Sequence, residues 1–400
     1  MRSRIFWAAT CALVVLGATA LGPSPSHASD TPTCAPARPH ASGTVVRTIT
    51  SSDGQRSYRL HVPPSYTGND AVPLVLNFHG MGSNAFDQEN YSGLSARADQ
   101  SGGGFIVAHP EGTLTNAIPY RHWNAWMLSS PEPDDVAFVS ALLDVLLDEL
   151  CIDVNRVFSA GMSNGAQMSI RLACSLSERI AAIAPVAGSY YPPVSLDRNP
   201  GETCSDTRAV PVIAFHGTAD AIVPFAGGPG GIPGFQTNFR LPIDDATPAE
   251  DVMSDWAQHD GCASGRQESQ VSNQVRLIRY ETCTDGAVVD LYAVDGGGHT
   301  WPDAVDIPGL GKTTHEINAT DLMWTFFQAH PMGAPKAVGG IAELAPAAGA
   351  PAQAPGPAGG SVALMAGGAA FVASGAIGAG WWLRRRLRSR RGTPGTGARH

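Results

Sequence analysis

The segment Arg156-Val157-Phe158-Ser159-Ala160-Gly161-Met162-Ser163-Asn164-Gly165-Ala166-Gln167-Met168 changes character twice along its length. Its β-branched and aromatic start predicts a buried strand, and the good helix formers from Ala166 onward predict a helix. Between them stands Gly161-x-Ser163-x-Gly165, the spacing of a nucleophile elbow. A serine on a tight strand-to-helix turn adopts a strained backbone. Side chains two residues to either side would collide with the adjoining strand and helix, hence the glycines. The turn lifts the Ser163 hydroxyl clear of the sheet, and the first free N–H groups of the helix point at whatever it attacks. Ser163 is the expected nucleophile.

Working outward, residues 44–50 and 56–62 flank Ser51-Ser52-Asp53-Gly54 and read as a hairpin. Apolar strands are expected at 73–78, 104–108, 180–186, 210–215, 275–280 and 288–294, and helices at 92–100, 249–259 and 316–328. A further helix opens at Asp134, a plausible N-cap, with Asp135 at its positive end and Phe138, Leu142, Val145 and Leu146 as its core face. Short apolar strands alternating with helices predict an α/β fold, a mostly parallel central sheet covered by helices on both faces.

A serine hydroxyl is a poor nucleophile until a histidine takes its proton and an acid orients that histidine. On a sheet with such an elbow the partners follow in the order Ser, acid, His. Asp220 closes His216-Gly217-Thr218-Ala219-Asp220 after an apolar strand, and His299 follows Gly296-Gly297-Gly298, whose flexibility lets the ring turn toward Ser163. Asp220 is the expected acid and His299 the base. His79 and His216 would break the order and read as structural, Asp295 lies too near His299 in sequence, and His259 reads as a solvated or capping residue. The oxyanion needs two donors. One is the N–H of Asn164; the other comes from the loop His79-Gly80-Met81-Gly82, most simply Met81, with Gly82 as the neighbouring alternative. Trp123, Trp126 and Trp301 are expected to wall the substrate pocket.

The ends of the chain differ from its middle. Residues 1–28 combine Arg2 and Arg4, an apolar run and the small-x-small sites Ser26-His27-Ala28 or Ala18-Thr19-Ala20, and predict a secretory signal peptide. Residues 29–42 read as a flexible lead-in, 43–335 as the catalytic domain, and 336–360, rich in Ala, Pro and Gly, as a linker. Residues 361–383 are uncharged, apolar and closed by Trp381-Trp382, and a run of arginines follows in 384–400. This predicts a transmembrane helix with a basic cytoplasmic tail. A processed sorting tail behind Gly359-Gly360 is the alternative.

Nine of the 26 Lys and Arg lie in the two ends and none of the 35 acids does, so the exported part carries about −18. That surface excludes nucleic acid as a partner and suits a neutral substrate. Six cysteines remain once Cys11 leaves with the signal peptide, and an even number in an exported chain implies disulfides. Of the fifteen pairings, proximity favours Cys262–Cys283 and Cys174–Cys204, which leaves Cys34–Cys151.

Phe78-His79-Gly80, Pro110-Glu111-Gly112, Asp134-Asp135-Val136-Ala137-Phe138, the elbow, Ile183-Ala184-Pro185-Val186-Ala187-Gly188, His216-Gly217-Thr218-Ala219-Asp220 and Gly297-Gly298-His299-Thr300-Trp301-Pro302 occur in that order. Together they resemble the secreted polyhydroxybutyrate depolymerase and feruloyl esterase family, related to carbohydrate esterases, over about residues 57–330. The resemblance implies an α/β-hydrolase fold, a triad at Ser163, Asp220 and His299, and no cofactor. Depolymerases of solid polyester usually carry an added binding domain. None is read here, and the membrane segment stands in that place. The expected substrates are therefore neutral feruloyl or acetyl esters on polysaccharide, or short hydroxyalkanoate oligoesters. The competing expectations are a catalytically idle surface-binding module and a peptidase or lipase on the same fold. Against a lipase, the polar, Gly/Pro-rich segment 226–248 is no apolar lid.

Overall fold

The computed structural model describes residues 32–115, 118–125, 133–188, 204, 208–231 and 246–333. The chain opens with the hairpin β1 (Gly43–Ser51) and β2 (Gly54–Val62). There follow β3 (Val72–Phe78), α1 (Ala85–Ser92), α2 (Leu94–Asp99), β4 (Ile106–Pro110) and α3 (Asp135–Glu149). The elbow lies between β5 (Ile152–Met162) and α4 (Asn164–Ser175), and β6 (Ala182–Val186) and β7 (Val212–Gly217) come next. Then come α5 (Ala249–His259), β8 (Gln267–Ser272), β9 (Val275–Tyr280), β10 (Val289–Val294) and α6 (Ala319–Ala329).

The strands form one sheet in the order β1-β2-β4-β3-β5-β6-β7-β10-β9-β8. The run from β4 to β10 is parallel, and β1, β2, β9 and β8 flank it in antiparallel pairs. Both faces of the parallel part are covered. Along β3 the period of two sends Leu74, Leu76 and Phe78 to a core shared with α3, α4 and α5. Val75 faces the other core, built with α1, α2 and α6, where Phe158 of β5 stacks on Phe327 at 4.5 Å. Parallel strands buried on both sides leave one place for chemistry, the loops at their carboxyl ends.

Two local expectations change. The helix expected over 92–100 is α1 and α2, broken at Gly93, whose φ of 68° ends the first helix with its N–H on Glu89 O. Strand β8, Gln-Glu-Ser-Gln-Val-Ser, has no apolar alternation because it is the exposed sheet edge, where charge blunts pairing with other chains. Disulfides join Cys34 to Cys151, Cys174 to Cys204 and Cys262 to Cys283. Among the described residues no helix is long and apolar enough to cross a membrane. The expected signal peptide, linker, transmembrane helix (361–383) and basic tail, with Trp126, lie outside the described residues.

Candidate active site

Ser163 sits at φ 55°, ψ −120°, a conformation that non-glycine residues rarely adopt. Its N–H is tied to Val186 O at 2.8 Å, and its carbonyl accepts from Gln167 N at 3.1 Å. A side chain at Gly161 would strike the Gly165 carbonyl, and one at Gly165 the carbonyls of Phe78 and His79. Packing thus requires both glycines. Ser163 is half-buried between the buried Met162 and Asn164, so of these three the serine is the one that solvent reaches.

The loops after β7 and β10 are laced together. Thr218 N donates to Val294 O and Ala219 N to Gly297 O, each at 2.9 Å, and a Cβ at Gly217 would collide with Gly297 and Gly298. This brings Asp220 and His299 together, with Nδ1–H donating to Oδ2 at 2.7 Å, both residues buried. Oδ1 accepts from the N–H groups of Ile222 at 2.8 Å and Val223 at 2.9 Å. Burial alone would raise the Asp220 pKa, but the imidazoles of His299 and His216 hold it well below the usual carboxylate range. With Nδ1 on the acid, His299 keeps Nε2 for a reacting proton. The sequence rivals are occupied elsewhere: Asp295 faces Arg276 at the half-exposed edge, and His259 pairs with Asp260 at 3.0 Å.

His79 is spent on backbone. Its Nδ1–H donates to Gly80 O at 2.8 Å, and its Nε2 accepts from Gly112 N at 2.9 Å. Burial pushes its pKa down to about 4, so it is neutral. Gly82 N–H is committed to Arg121 O at 2.8 Å. None of the hydrogen bonds among the described residues uses the N–H of Met81 or Asn164. The Asn164 side chain clamps the next loop, its Oδ1 accepting from Trp123 N at 2.7 Å and its Nδ2 donating to Trp123 O at 3.1 Å.

The two described tryptophans of the expected wall are both buried. Trp123 is fully buried, edge-on to Phe78, and its Nε1–H donates to His79 O at 2.9 Å. Trp301 is equally enclosed, with Nε1–H on Thr320 Oγ1 at 3.0 Å. Each spends its one donor on the scaffold; the Trp123 ring is packing, and Trp301 borders a cavity it shares with Tyr91, Arg97 and Asp303.

Sequence reasoning missed what stands behind Trp123. Asp135 is not a solvated helix end. It is buried against Arg56 at 2.6 Å, and its Oδ2 accepts from Asn124 N at 2.7 Å. The Arg56 guanidinium also lies 4.0 Å above the Phe138 ring. The doubled Asp134-Asp135 was the available signal. Asp134 alone makes the cap, through Ala137 N at 2.9 Å, which leaves the second acid unexplained.

A strained serine at a strand-to-helix turn, with an aspartate-bound histidine beyond the carboxyl ends of two other parallel strands of the same sheet, is the order of parts in hydrolases that work through an acyl-enzyme. Residues 67–230 match the family described as phospholipase/carboxylesterase. The protein named "Putative esterase NocK", from Nocardia uniformis subsp. tsuyamanensis, is 30% identical over 318 residues, covering 72% of this chain and 85% of that one. Feruloyl esterase B of Piromyces equi is 29% identical over 248 residues, and the match spans 62% of this chain but 43% of that protein. Feruloyl esterase C of Emericella nidulans is 26% identical over 289 residues, 70% of this chain and 92% of that one. Among solved structures, the acetyl xylan esterase from Aspergillus awamori is similar with a TM-score of 0.46 at 15% identity, over 71% of this chain and 99% of that one. The chain belongs to the esterases of the α/β-hydrolase type. It is a carboxylic ester hydrolase.

Proposed function

We propose that this chain is an exported, surface-anchored serine carboxylesterase with Ser163 as nucleophile, His299 as general base and acid, and Asp220 as the residue that orients it. The observation that carries the assignment is the buried 2.7 Å Asp220–His299 bond, on the same sheet as a serine held at positive φ at the strand-to-helix turn. Ser163 Oγ attacks the ester carbonyl carbon as His299 Nε2 takes its proton. The oxyanion is held by the N–H groups of Met81 and Asn164, which the protein's own hydrogen bonds leave uncommitted among the described residues. Collapse breaks the carbon–oxygen bond to the alcohol, which leaves with the proton from His299. Water, deprotonated by the same histidine, then attacks the acyl-enzyme, and expulsion of Ser163 restores the site.

The substrates that fit are neutral: feruloyl or acetyl esters on polysaccharide, or short hydroxyalkanoate oligoesters. Support comes from the acidic chain and from relatives named as feruloyl esterases. Export, with residues 1–28 as signal peptide and 43–335 as catalytic domain, is supported by the disulfides, which persist in oxidising compartments. Anchoring rests on the apolar run 361–383 and the arginines after it.

The test compares initial rates on methyl ferulate, acetylated xylan and 3-hydroxybutyrate oligomers, with Ser163→Ala as control. Fluorophosphonate labelling lost in Ser163→Ala supports the nucleophile, and the preferred ester sets the substrate class. Folded protein with no hydrolysis of any ester sinks the triad. Membrane fractionation of the full chain against one ending at residue 335 tests the anchor separately; equal partitioning overturns it.

A further inference from the structure

We infer that His216 is a positioning residue for the acid, a second imidazole that fixes the carboxylate serving His299. The inference rests on Ser163, Asp220 and His299 being the catalytic set. His216 lies next to last in β7, and the turn Gly217-Thr218-Ala219-Asp220, closed by Asp220 N on Gly217 O at 3.2 Å, folds the acid back beside it. The ring is buried and meets Phe225 edge-on, with centroids 5.7 Å apart. Its Nε2 lies 2.8 Å from Val223 O and 3.3 Å from Asp220 Oδ2. A carbonyl oxygen cannot donate, so Nε2 carries the proton, and that proton is shared between the carbonyl and the carboxylate.

Asp220 therefore receives donors at both oxygens. The N–H groups of Ile222 and Val223 hold Oδ1, while His216 and His299 converge on Oδ2. The titratable groups that face the carboxylate are these two histidines. Two consequences follow. The carboxylate is locked with Oδ2 toward His299 Nδ1, which fixes the tautomer and the direction of Nε2. Part of its charge is also taken up by His216, which limits its basicity and keeps the shared proton on His299.

A side chain that merely filled this space would be replaceable by phenylalanine. His216→Phe keeps a ring and removes the donor, whereas His216→Gln places an amide N–H at similar reach. The measurement is the pH dependence of kcat and kcat/KM for hydrolysis of p-nitrophenyl acetate, with Asp220→Asn as reference and circular dichroism to check folding. His216→Phe is expected to lower kcat roughly 10- to 100-fold with KM within about threefold. It also shifts the acidic limb of kcat/KM to higher pH, because the freed carboxylate stabilises the His299 imidazolium more strongly. His216→Gln recovers most of both changes. The inference is overturned by a His216→Phe enzyme with the original limb and rate, or by a loss that Gln does not rescue and that leaves the limb in place. If Phe fails to fold, Gln decides: a folded His216→Gln enzyme that has lost activity overturns it as well. Unchanged activity in Asp220→Asn would instead remove the triad, and this inference with it.

Discussion

His79 and His299 look alike in sequence and part company in the structure. Each stands at or beyond the carboxyl end of a parallel strand, each adjoins a glycine, and each is buried. His79 spends both ring nitrogens on backbone, one donating and one accepting, and a second proton would set two N–H groups against each other at Gly112. His299 spends one nitrogen on a carboxylate and leaves the other for the proton transfers proposed above. Burial is common to both. The partner separates a strut from the proposed base.

Removing each ring gives the widest test of that difference. His299→Ala should lower kcat/KM by roughly 10⁴-fold or more while leaving thermal stability nearly unchanged. His79→Ala should do the reverse, costing about 1–3 kcal/mol as Gly112 N–H loses its buried acceptor, with a smaller loss of rate transmitted through the Gly80–Gly82 loop. Steady-state kinetics and urea melts on both variants check this. Equal kinetic losses at unchanged stability would erase the distinction.

The strut side has a deeper support whose loss should be next in size. Arg56→Met leaves Asp135 buried without its counter-charge, at a cost of about 3–5 kcal/mol in urea unfolding. The double variant Arg56→Met/Asp135→Leu should recover much of that, because an apolar pair needs no compensation for lost hydration. Activity in the double variant should stay reduced, since Asn124 N–H has lost the carboxylate that holds the Trp123 loop against Asn164.

How far these roles could be read in advance depended on what decides them. The elbow, the strand order's parallel core and the position of Asp220 and His299 follow from local spacing, because a G-x-S-x-G turn or a glycine run constrains the backbone wherever it occurs. Trp123 and Asp135 take their surroundings from partners far along the chain, His79 O and Arg56, while His216 meets Asp220 only because the turn after β7 folds back four residues on. An aromatic loop reads the same whether its rings line a pocket or plug a core. Strand β8 was missed for a related reason, since a polar exposed edge carries no period to find.

Acid sharpens the comparison without any mutation. His79 and His109, buried within the scaffold, have pKa values pushed down by burial to about 4 and about 3, against an ordinary 6.5. Between these values the unfolded chain binds protons that the folded one refuses. Their contribution to stability is therefore complete above about pH 6.5 and is lost as pH falls, by roughly 1.4 kcal/mol per pH unit for each histidine. Asp135 and Asp290, raised by burial, act in the opposite sense, so substitution of a histidine, and not the pH interval alone, assigns the slope. Urea midpoints should fall from about pH 6.5 to about pH 5, and His109→Asn should flatten the slope. A flat profile in the unmodified protein would mean that these rings reach solvent.

The smallest expected effect separates packing from recognition at the other tryptophan. Trp301 follows the catalytic loop by two residues, so a change in its size would alter KM if it touched substrate. In the structure its N–H holds Thr320, whose own hydroxyl donates to Ser92 O at 2.6 Å, so that the ring pins α6 and the end of α1 behind His299. Trp301→Phe keeps the apolar ring and loses that donor, which should cost about 1 kcal/mol in unfolding and leave KM for methyl ferulate within about twofold. A KM that moves severalfold while stability holds would return Trp301 to the pocket wall. It would also show that the loop carrying His299 opens further than its lacing to residues 310–312 permits.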